Sequence, residues 1–156
     1  MPAPPSFALR PIGVVHSPRT EVADDDWGAV TSTITLGPSF GPEALVGLSE
    51  FSHLDVVYLF DRVDPDTVCL GTRRPRGNPT MPEVGIFAQR GKDRPNRLGV
   101  CTCELVGVEG TTVTVRGLDA VDGTPVLDIK PHMVEFDPRG PVTQPAWSHE
   151  LMAGYW

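Results

Sequence analysis

The chain has 156 residues, which is enough for one domain with a hydrophobic core. Its formal net charge of −7, from 13 basic and 20 acidic residues, argues against a protein that wraps nucleic acid by bulk positive charge, but it allows a local basic patch. Three cysteines without a CxxC pair and four separated histidines favour neither a disulfide framework nor a metal site. With no signal peptide and no apolar run of membrane-spanning length, we expect a cytoplasmic protein without a membrane segment.

Proline and glycine, with 17 and 16 residues, separate short apolar runs along the whole chain, a pattern typical of β-rich domains. The predicted strands are residues 7–16, 31–36, 54–60, 84–89, 98–108, 112–118 and 126–129. Residues 42–48 are the best helix candidate, with one or two turns. Seven short strands and almost no helix suggest a barrel or a sandwich. We divide the chain into a domain at 1–138 and a loose tail at 139–156, in which Trp147, Tyr155 and Trp156 are anchors or interface residues.

A basic loop follows one of the predicted strands, in the stretch GIFAQRGKDRPNRLG at residues 85–99. Arg90, Lys92, Arg94 and Arg97 place four cations within eight residues, and Pro95 stiffens the loop. Such a cluster beside a core strand suits an anionic ligand, either a carboxylate or a phosphate. A solvated basic loop is an equally good interpretation.

Charged residues also interrupt the last predicted strand, in DAVDGTPVLDIKPH at residues 119–132. Asp119 and Asp122 lie on a turn that Gly123 makes tight, and their carboxylates suit ribose hydroxyls or a base amino group. An ordinary turn is the alternative interpretation. Because an unpaired buried charge is costly, this density of charge favours a polar ligand at the segment.

These two segments, together with three others in the same order, resemble the TsaA-like family of tRNA methyltransferases. The phrases that carry the resemblance are IGVVHSPRTE, FSHLDVVYLF, RRPRG, VGIFAQRGKDRPNRLGV and GLDAVDGTPVLDIKPH, and it covers about residues 9–135. Characterised members methylate N6 of threonylcarbamoyladenosine beside the anticodon, with S-adenosylmethionine as the methyl donor. The resemblance implies an all-β fold, a small and mostly antiparallel β-barrel with one or two short helices, and a homodimer. The absence of a GxGxxG fingerprint agrees with a fold unlike the Rossmann-type methyltransferases.

The resemblance also implies roles for individual residues. The residues implied for S-adenosylmethionine binding are Asp61, Arg62, Arg76, Arg90, Leu98, Asp119, Val121, Asp122, Gly123, Thr124 and Pro125. The N-terminal loop that approaches the donor would be residues 24–27. A basic rim for the acceptor is expected from Lys92, Arg94, Asn96 and Arg97. For the catalytic step, Asp128 and His132 are candidate proton acceptors, and Lys130 is expected to pair with Asp128 or with the substrate, or to form only a structural ion pair.

The reaction implied is an in-line methyl transfer that needs no metal and no covalent enzyme intermediate, with the reacting groups held nearly collinear. This sequence departs from the family pattern at the site itself, where Gly91-Lys92 replaces Ser-Pro, Arg97 replaces Pro and Asp61 replaces a common His. Two functions therefore remain. The first is a methyltransferase acting on a modified adenosine in tRNA or on a smaller, non-tRNA molecule. The second is a non-catalytic protein that binds S-adenosylmethionine.

Overall fold

The fold is a closed six-stranded barrel, in a computed structural model that describes residues 1–156. The elements in chain order are β1 (Gly13–His16), β2 (Thr31–Leu36), β3 (His53–Leu59), β4 (Thr72–Arg73), β5 (Val84–Gly85), β6 (Leu98–Glu109), β7 (Thr112–Arg116), β8 (Pro125–Pro131) and α1 (Ala146–Met152). The barrel order is β1-β2-β7-β6-β3-β8, and every neighbouring pair is antiparallel. The expected all-β barrel is confirmed.

Alternating side chains of the strands fill the barrel. In β3, the residues Leu54, Val56 and Tyr58 point inward, while the residues between them are only partly buried. Their partners on β6 are Cys103, Cys101 and Gly99. A strand exposes successive side chains to opposite faces, so this period of two places every second residue in the core.

The barrel closes where β1 pairs with β8, and this seam is short. Only Gly13 with Val126 and Val14 with Pro125 are paired there, whereas β3 pairs with β6 along seven residues. Two further hydrogen bonds join Val15 to the turn before β8, one from Val15 N to Thr124 O and one from Gly123 N to Val15 O. The seam therefore carries the DGTP turn of the sequence, which begins at Asp122.

Several boundaries differ from the sequence prediction. The first strand begins at Gly13 rather than residue 7, because the apolar residues before Ile12 have no strand to pair with. In the segment 84–89 only Val84–Gly85 is a strand, and it pairs with β4 as a ribbon outside the barrel. The helix candidate forms two short 3₁₀ turns, Pro42–Leu45 and Leu48–Glu50.

The prediction of a loose tail is wrong for the last eleven residues. They form α1 and then run beside the loop before β2, where Asp26 N donates to Gly154 O (3.0 Å) and Trp27 N donates to Tyr155 O (2.8 Å). The division at residue 138 stays a prediction. No helix in the chain has the length and the apolar character needed to cross a membrane.

Candidate functional site

A cleft of about 610 Å³ lies at the end of the barrel where β3 ends and β6 begins. The chain segments that line it are residues 22–27, 58–63, 73–76, 86–94, 98–102, 119–124 and 151–156. Two of these segments are the basic loop and the acidic turn that the sequence analysis identified. Antiparallel pairing of β3 with β6 and β8 brings them together, because it places the end of β3 beside the starts of the other two strands.

Eight of the eleven residues expected to bind the donor line this cleft. They are Asp61, Arg62, Arg76, Arg90, Leu98, Asp119, Val121 and Thr124. The remaining three, Asp122, Gly123 and Pro125, do not line the cleft but form and support the turn at its edge. The Asp122 side chain accepts from Ser17 N (3.0 Å), and its carbonyl accepts from the Arg62 guanidinium (2.9 Å). Arg62 also donates to Thr20 O, so it holds two cleft segments together.

At the floor of the cleft, the Asp119 carboxylate accepts a hydrogen bond on each of its oxygens. The Tyr58 hydroxyl donates to Oδ1 (2.6 Å), and the Tyr155 hydroxyl donates to Oδ2. Burial, followed by the nearby Asp119 charge, raises the pKa of both tyrosines. Both hydroxyls therefore stay protonated as donors, and the carboxylate is held in one orientation with acceptor capacity left over.

The cysteines of β6 behave as core residues behind this floor. Cys101 and Cys103 are buried, and burial raises the pKa of Cys103 to about 12 and raises that of Cys101 further. The nearby Asp119 charge acts in the same direction as burial. Neither thiol is therefore a nucleophile at neutral pH.

Four carboxylates line the cleft, and one of them has no partner. Three are paired: Asp24 with Arg76 (3.9 Å), Asp93 with Arg73 (2.8 Å) and Lys92 (3.5 Å), and Asp119 with the two tyrosines. The side chain of Asp61, two residues after the end of β3, makes neither a hydrogen bond nor an ion pair and is exposed. Asp61 is thus the carboxylate in the cleft that remains available for a ligand or a proton.

The four residues expected at the acceptor rim divide into two pairs. Lys92 and Arg94 line the cleft, and Arg94 also donates to Gln89 O (2.7 Å). Asn96 and Arg97 do not line it. Arg97 donates to Val63 O (2.9 Å), and both residues have left-handed backbone conformations, with φ of 62° and 51°. These two residues determine the backbone shape of the loop and are not part of the rim of the cleft.

The three residues expected to be catalytic, Asp128, Lys130 and His132, are not brought to the cleft. They follow the start of β8, which runs away from the cleft at about 3.3 Å per residue, so His132 lies roughly 20 Å along the strand. Asp128 and Lys130 pair with each other (2.9 Å). His132 bridges two carboxylates, with Nδ1 3.1 Å from Asp55 and Nε2 2.7 Å from Asp137. The pair between Lys130 and Asp128 is one of the alternatives given in the sequence analysis.

Sequence reasoning missed the aromatic side of the cleft. Tyr58, Phe60, Tyr155 and Trp156 line it, and the Tyr58 and Phe60 rings meet edge to face at 5.3 Å between centroids. Trp27 also lines the cleft, as does Asp24, and both belong to the loop 24–27 that the resemblance places near the donor. The alternation in β3 places Tyr58 inside the barrel, but nothing in the local pattern places it against Asp119.

The chain is similar to known proteins of one family. The profile of the tRNA-methyltransferase O N-terminal domain matches residues 17–138. A probable S-adenosyl-L-methionine-binding protein of Methanothermobacter thermautotrophicus is 38% identical over 139 residues, which cover 85% of this chain and 94% of that protein. The human tRNA (adenine(37)-N6)-methyltransferase is 35% identical over 65% of this chain and 23% of that protein.

The crystal structure of TrmO from Pseudomonas aeruginosa superimposes with a TM-score of 0.72 and 31% identity. The match covers 88% of this chain and 61% of the TrmO chain, so this chain spans less than two thirds of that protein. The extent of the profile match and the identity to its relatives show that this chain belongs to the family of tRNA-methyltransferase O N-terminal domains.

Proposed function

We propose that this protein is an S-adenosylmethionine-dependent methyltransferase that acts on N6 of threonylcarbamoyladenosine in tRNA. The observation that carries the proposal is the cleft, because it is lined by residues from distant parts of the sequence for which the resemblance implies donor binding. The family match and the relatives named as S-adenosylmethionine-binding proteins and tRNA methyltransferases support the same activity.

The residues present in the cleft fit the methyl donor. Its volume lies within the range of about 300–1,000 Å³ that is common for small-molecule sites. The donor carries a carboxylate, an ammonium, ribose hydroxyls and an adenine ring. The cleft offers Arg76 and Arg90 for a carboxylate, Asp119 as an acceptor for hydroxyls, and Leu98 and Val121 as apolar contacts for a ring.

When bound, S-adenosylmethionine supplies an electrophilic methyl group on a sulfonium. The chain's own task is to hold the donor and the attacking nitrogen in line, an effect that can be worth several kcal/mol. The attacking nitrogen must also lose its proton. We assign this proton to the free carboxylate of Asp61, directly or through a water molecule, because the other cleft carboxylates are paired.

The distribution of charge supports an RNA acceptor despite the acidic total. Residues 68–97, here called the basic arm, hold seven of the 13 basic residues and only two of the 20 acidic residues. The arm contains the ribbon of β4 and β5 and one wall of the cleft. Phosphates attract such a local cluster even when the rest of the chain is acidic.

Two large apolar side chains are exposed on the same arm. Leu70 is 81% exposed and Phe87 is 77% exposed. They lie at the same end of the ribbon, because Ile86 N donates to Gly71 O (2.9 Å) and each apolar residue neighbours one partner of that bond. An exposed aromatic ring within a basic surface is a stacking platform for a nucleobase. We therefore assign Phe87 to the acceptor RNA.

Two measurements test the proposed function. The first is calorimetric titration with S-adenosylmethionine and with S-adenosylhomocysteine. The second is transfer of a labelled methyl group to tRNA that carries threonylcarbamoyladenosine, with tRNA lacking that modification as the control. Micromolar binding with transfer to the modified tRNA alone is expected. Binding without transfer to any tRNA would indicate a donor-binding protein or a small-molecule acceptor. Failure to bind S-adenosylmethionine and S-adenosylhomocysteine would refute the proposal that the protein is a methyltransferase.

We further propose a homodimer in the cytoplasm. The resemblance to the family supports the dimer, and a tRNA substrate supports the compartment. Tyr155 and Trp156 contribute to the cleft of their own chain, so they are not needed to explain an interface. Analytical ultracentrifugation at micromolar concentration tests the dimer, and a single species with the mass of one chain would contradict it.

A further inference from the structure

We infer that the C-terminal segment Ala146–Trp156 is a wall of the donor cleft and that Tyr155 is a positioning residue, which acts on the donor by orienting Asp119. This inference rests on the proposed function, since it assumes that the cleft binds S-adenosylmethionine. The segment lies beyond residue 138, where the match to the family domain ends. The family resemblance therefore assigns no role to it.

The segment is held in place from three directions. Its backbone bonds to the loop before β2 through Gly154 O and Tyr155 O, which accept from Asp26 N and Trp27 N. Behind it, Gly28 makes room for the chain, because a Cβ atom at that position would lie 2.6 Å from the carbonyl carbon of Trp156. In front of it, the Tyr155 hydroxyl reaches Asp119. Such bonds to two separate parts of the barrel define one docked position.

The docked segment contributes apolar surface to a cleft that also has charged lining. Leu151, Met152, Tyr155 and Trp156 line the cleft, and the two aromatic rings meet edge to face with centroids 4.8 Å apart. Cations of the basic arm, among them Arg76, Arg90 and Arg94, line the same cleft. A donor with an adenine at one end and a charged amino-acid group at the other matches this combination of apolar and charged surfaces.

Tyr155 also determines how Asp119 is presented to a ligand. Tyr58 holds one carboxylate oxygen from β3, and Tyr155 holds the other from the C-terminal segment. With both oxygens fixed by hydroxyl donors, the remaining lone pairs have one set of directions. Loss of the Tyr155 hydroxyl frees one oxygen to rotate or to take up water, while the barrel itself is unchanged. The effect on the donor therefore passes through Asp119.

The test is a double-mutant cycle on donor affinity with Tyr155→Phe, Asp119→Asn and the combination of the two. We expect Tyr155→Phe to raise the dissociation constant for S-adenosylmethionine about tenfold and to raise the donor KM with little change in kcat. In the Asp119→Asn background, Tyr155→Phe should have no further effect. Independent, multiplying effects of the two substitutions would overturn the positioning role, and so would wild-type affinity in Tyr155→Phe.

A second variant tests the wall without touching the cleft. Gly28→Ala displaces the C-terminal segment from behind and should also weaken donor binding about tenfold. The matched control is Gly71→Ala, because a Cβ atom at Gly71 meets nothing within 4 Å. Unchanged or tighter donor binding in Gly28→Ala would overturn the inference that the C-terminal segment is a wall of the donor cleft.

Titration of the wild-type protein with the donor distinguishes failure of the proposed function from failure of this inference. If the wild type binds no donor, the proposed function fails and the inference fails with it. If the wild type binds and the variants match it, only the inference fails. Thermal unfolding without ligand identifies any variant that has lost its fold, and Tyr155→Phe is expected to unfold within a few degrees of the wild type.

Discussion

Replacing Gly99 with alanine makes the new methyl group overlap with the ring of Tyr58. Gly99 lies on β6 opposite Tyr58 on β3, and a Cβ atom there would lie 2.5 Å from two ring carbons, Cε2 and Cζ. The ring cannot yield easily, because Tyr58 is 2% exposed and its hydroxyl is bonded to Asp119. Overpacking of this kind costs about 1–3 kcal/mol, and loss of the hydrogen bond adds about 1 kcal/mol. We therefore expect a loss of about 2–4 kcal/mol.

For a chain of this size, such a loss corresponds to a decrease in Tm of roughly 5–15 °C, which thermal unfolding followed by circular dichroism can measure. Gly107→Ala, in the same strand, is the matched control, because a Cβ atom at Gly107 meets nothing within 4 Å. Donor affinity should decrease as well, since Tyr58 would release Asp119. If Gly99→Ala unfolds at the temperature of Gly107→Ala, the close packing of Tyr58 on Gly99 does not support the fold and the reasoning is refuted.

Three further predictions concern the cleft, the far end of β8 and the basic arm. Asp61→Asn should lower kcat for methyl transfer by about 100-fold or more; an unchanged kcat would exclude Asp61 as the proton acceptor. Neighbouring carboxylates raise the pKa of His132, chiefly because they accept hydrogen bonds from its ring, first Asp137 and then Asp55. Its stabilising effect should therefore be complete below pH of about 6.5 and disappear as pH rises through the folded pKa, so plots of Tm against pH for wild type and His132→Gln should converge at high pH, and parallel plots would contradict this. Phe87→Ala should weaken tRNA binding by about 1–3 kcal/mol without changing donor affinity, whereas Phe40→Ala, outside the cleft, should leave both unchanged; equal effects on tRNA binding would remove Phe87 from the acceptor site.

The parts of the site that follow from the sequence are those that local chemistry defines. The basic loop and the DGTP turn are contiguous stretches whose composition alone suggests a polar ligand, and both adjoin the cleft. The strand β3 also follows from the sequence, because LDVVYLF at residues 54–60 is apolar at nearly every position. The apolar content of residues 7–12 predicts a strand too, but hydrophobicity does not reveal whether a pairing partner exists.

The parts that do not follow are contacts between residues far apart in the chain. Asp119 is 61 residues from Tyr58 and 36 from Tyr155, so no pattern within a window of the sequence links them. Asp128 and Lys130 pair with each other on β8, which is one of the pairings expected from the sequence. The sequence does not reveal the direction of β8 relative to the cleft, and this strand runs away from the cleft. The extended strand therefore separates Asp128 and Lys130 from the turn at Asp122, although the two groups are close in the sequence.

The short seam between β1 and β8 has a consequence for motion. It joins only two residue pairs, whereas β3 and β6 are joined by seven, so fewer hydrogen bonds hold β1 to β8. In native-state hydrogen exchange we expect the amides of β1 to exchange through local openings at a far lower free energy than those of β3 and β6. Because Thr124 is bonded to Val15 at this seam and also lines the cleft, each opening loosens one edge of the cleft. A ligand bound there would suppress these openings and slow the exchange of β1.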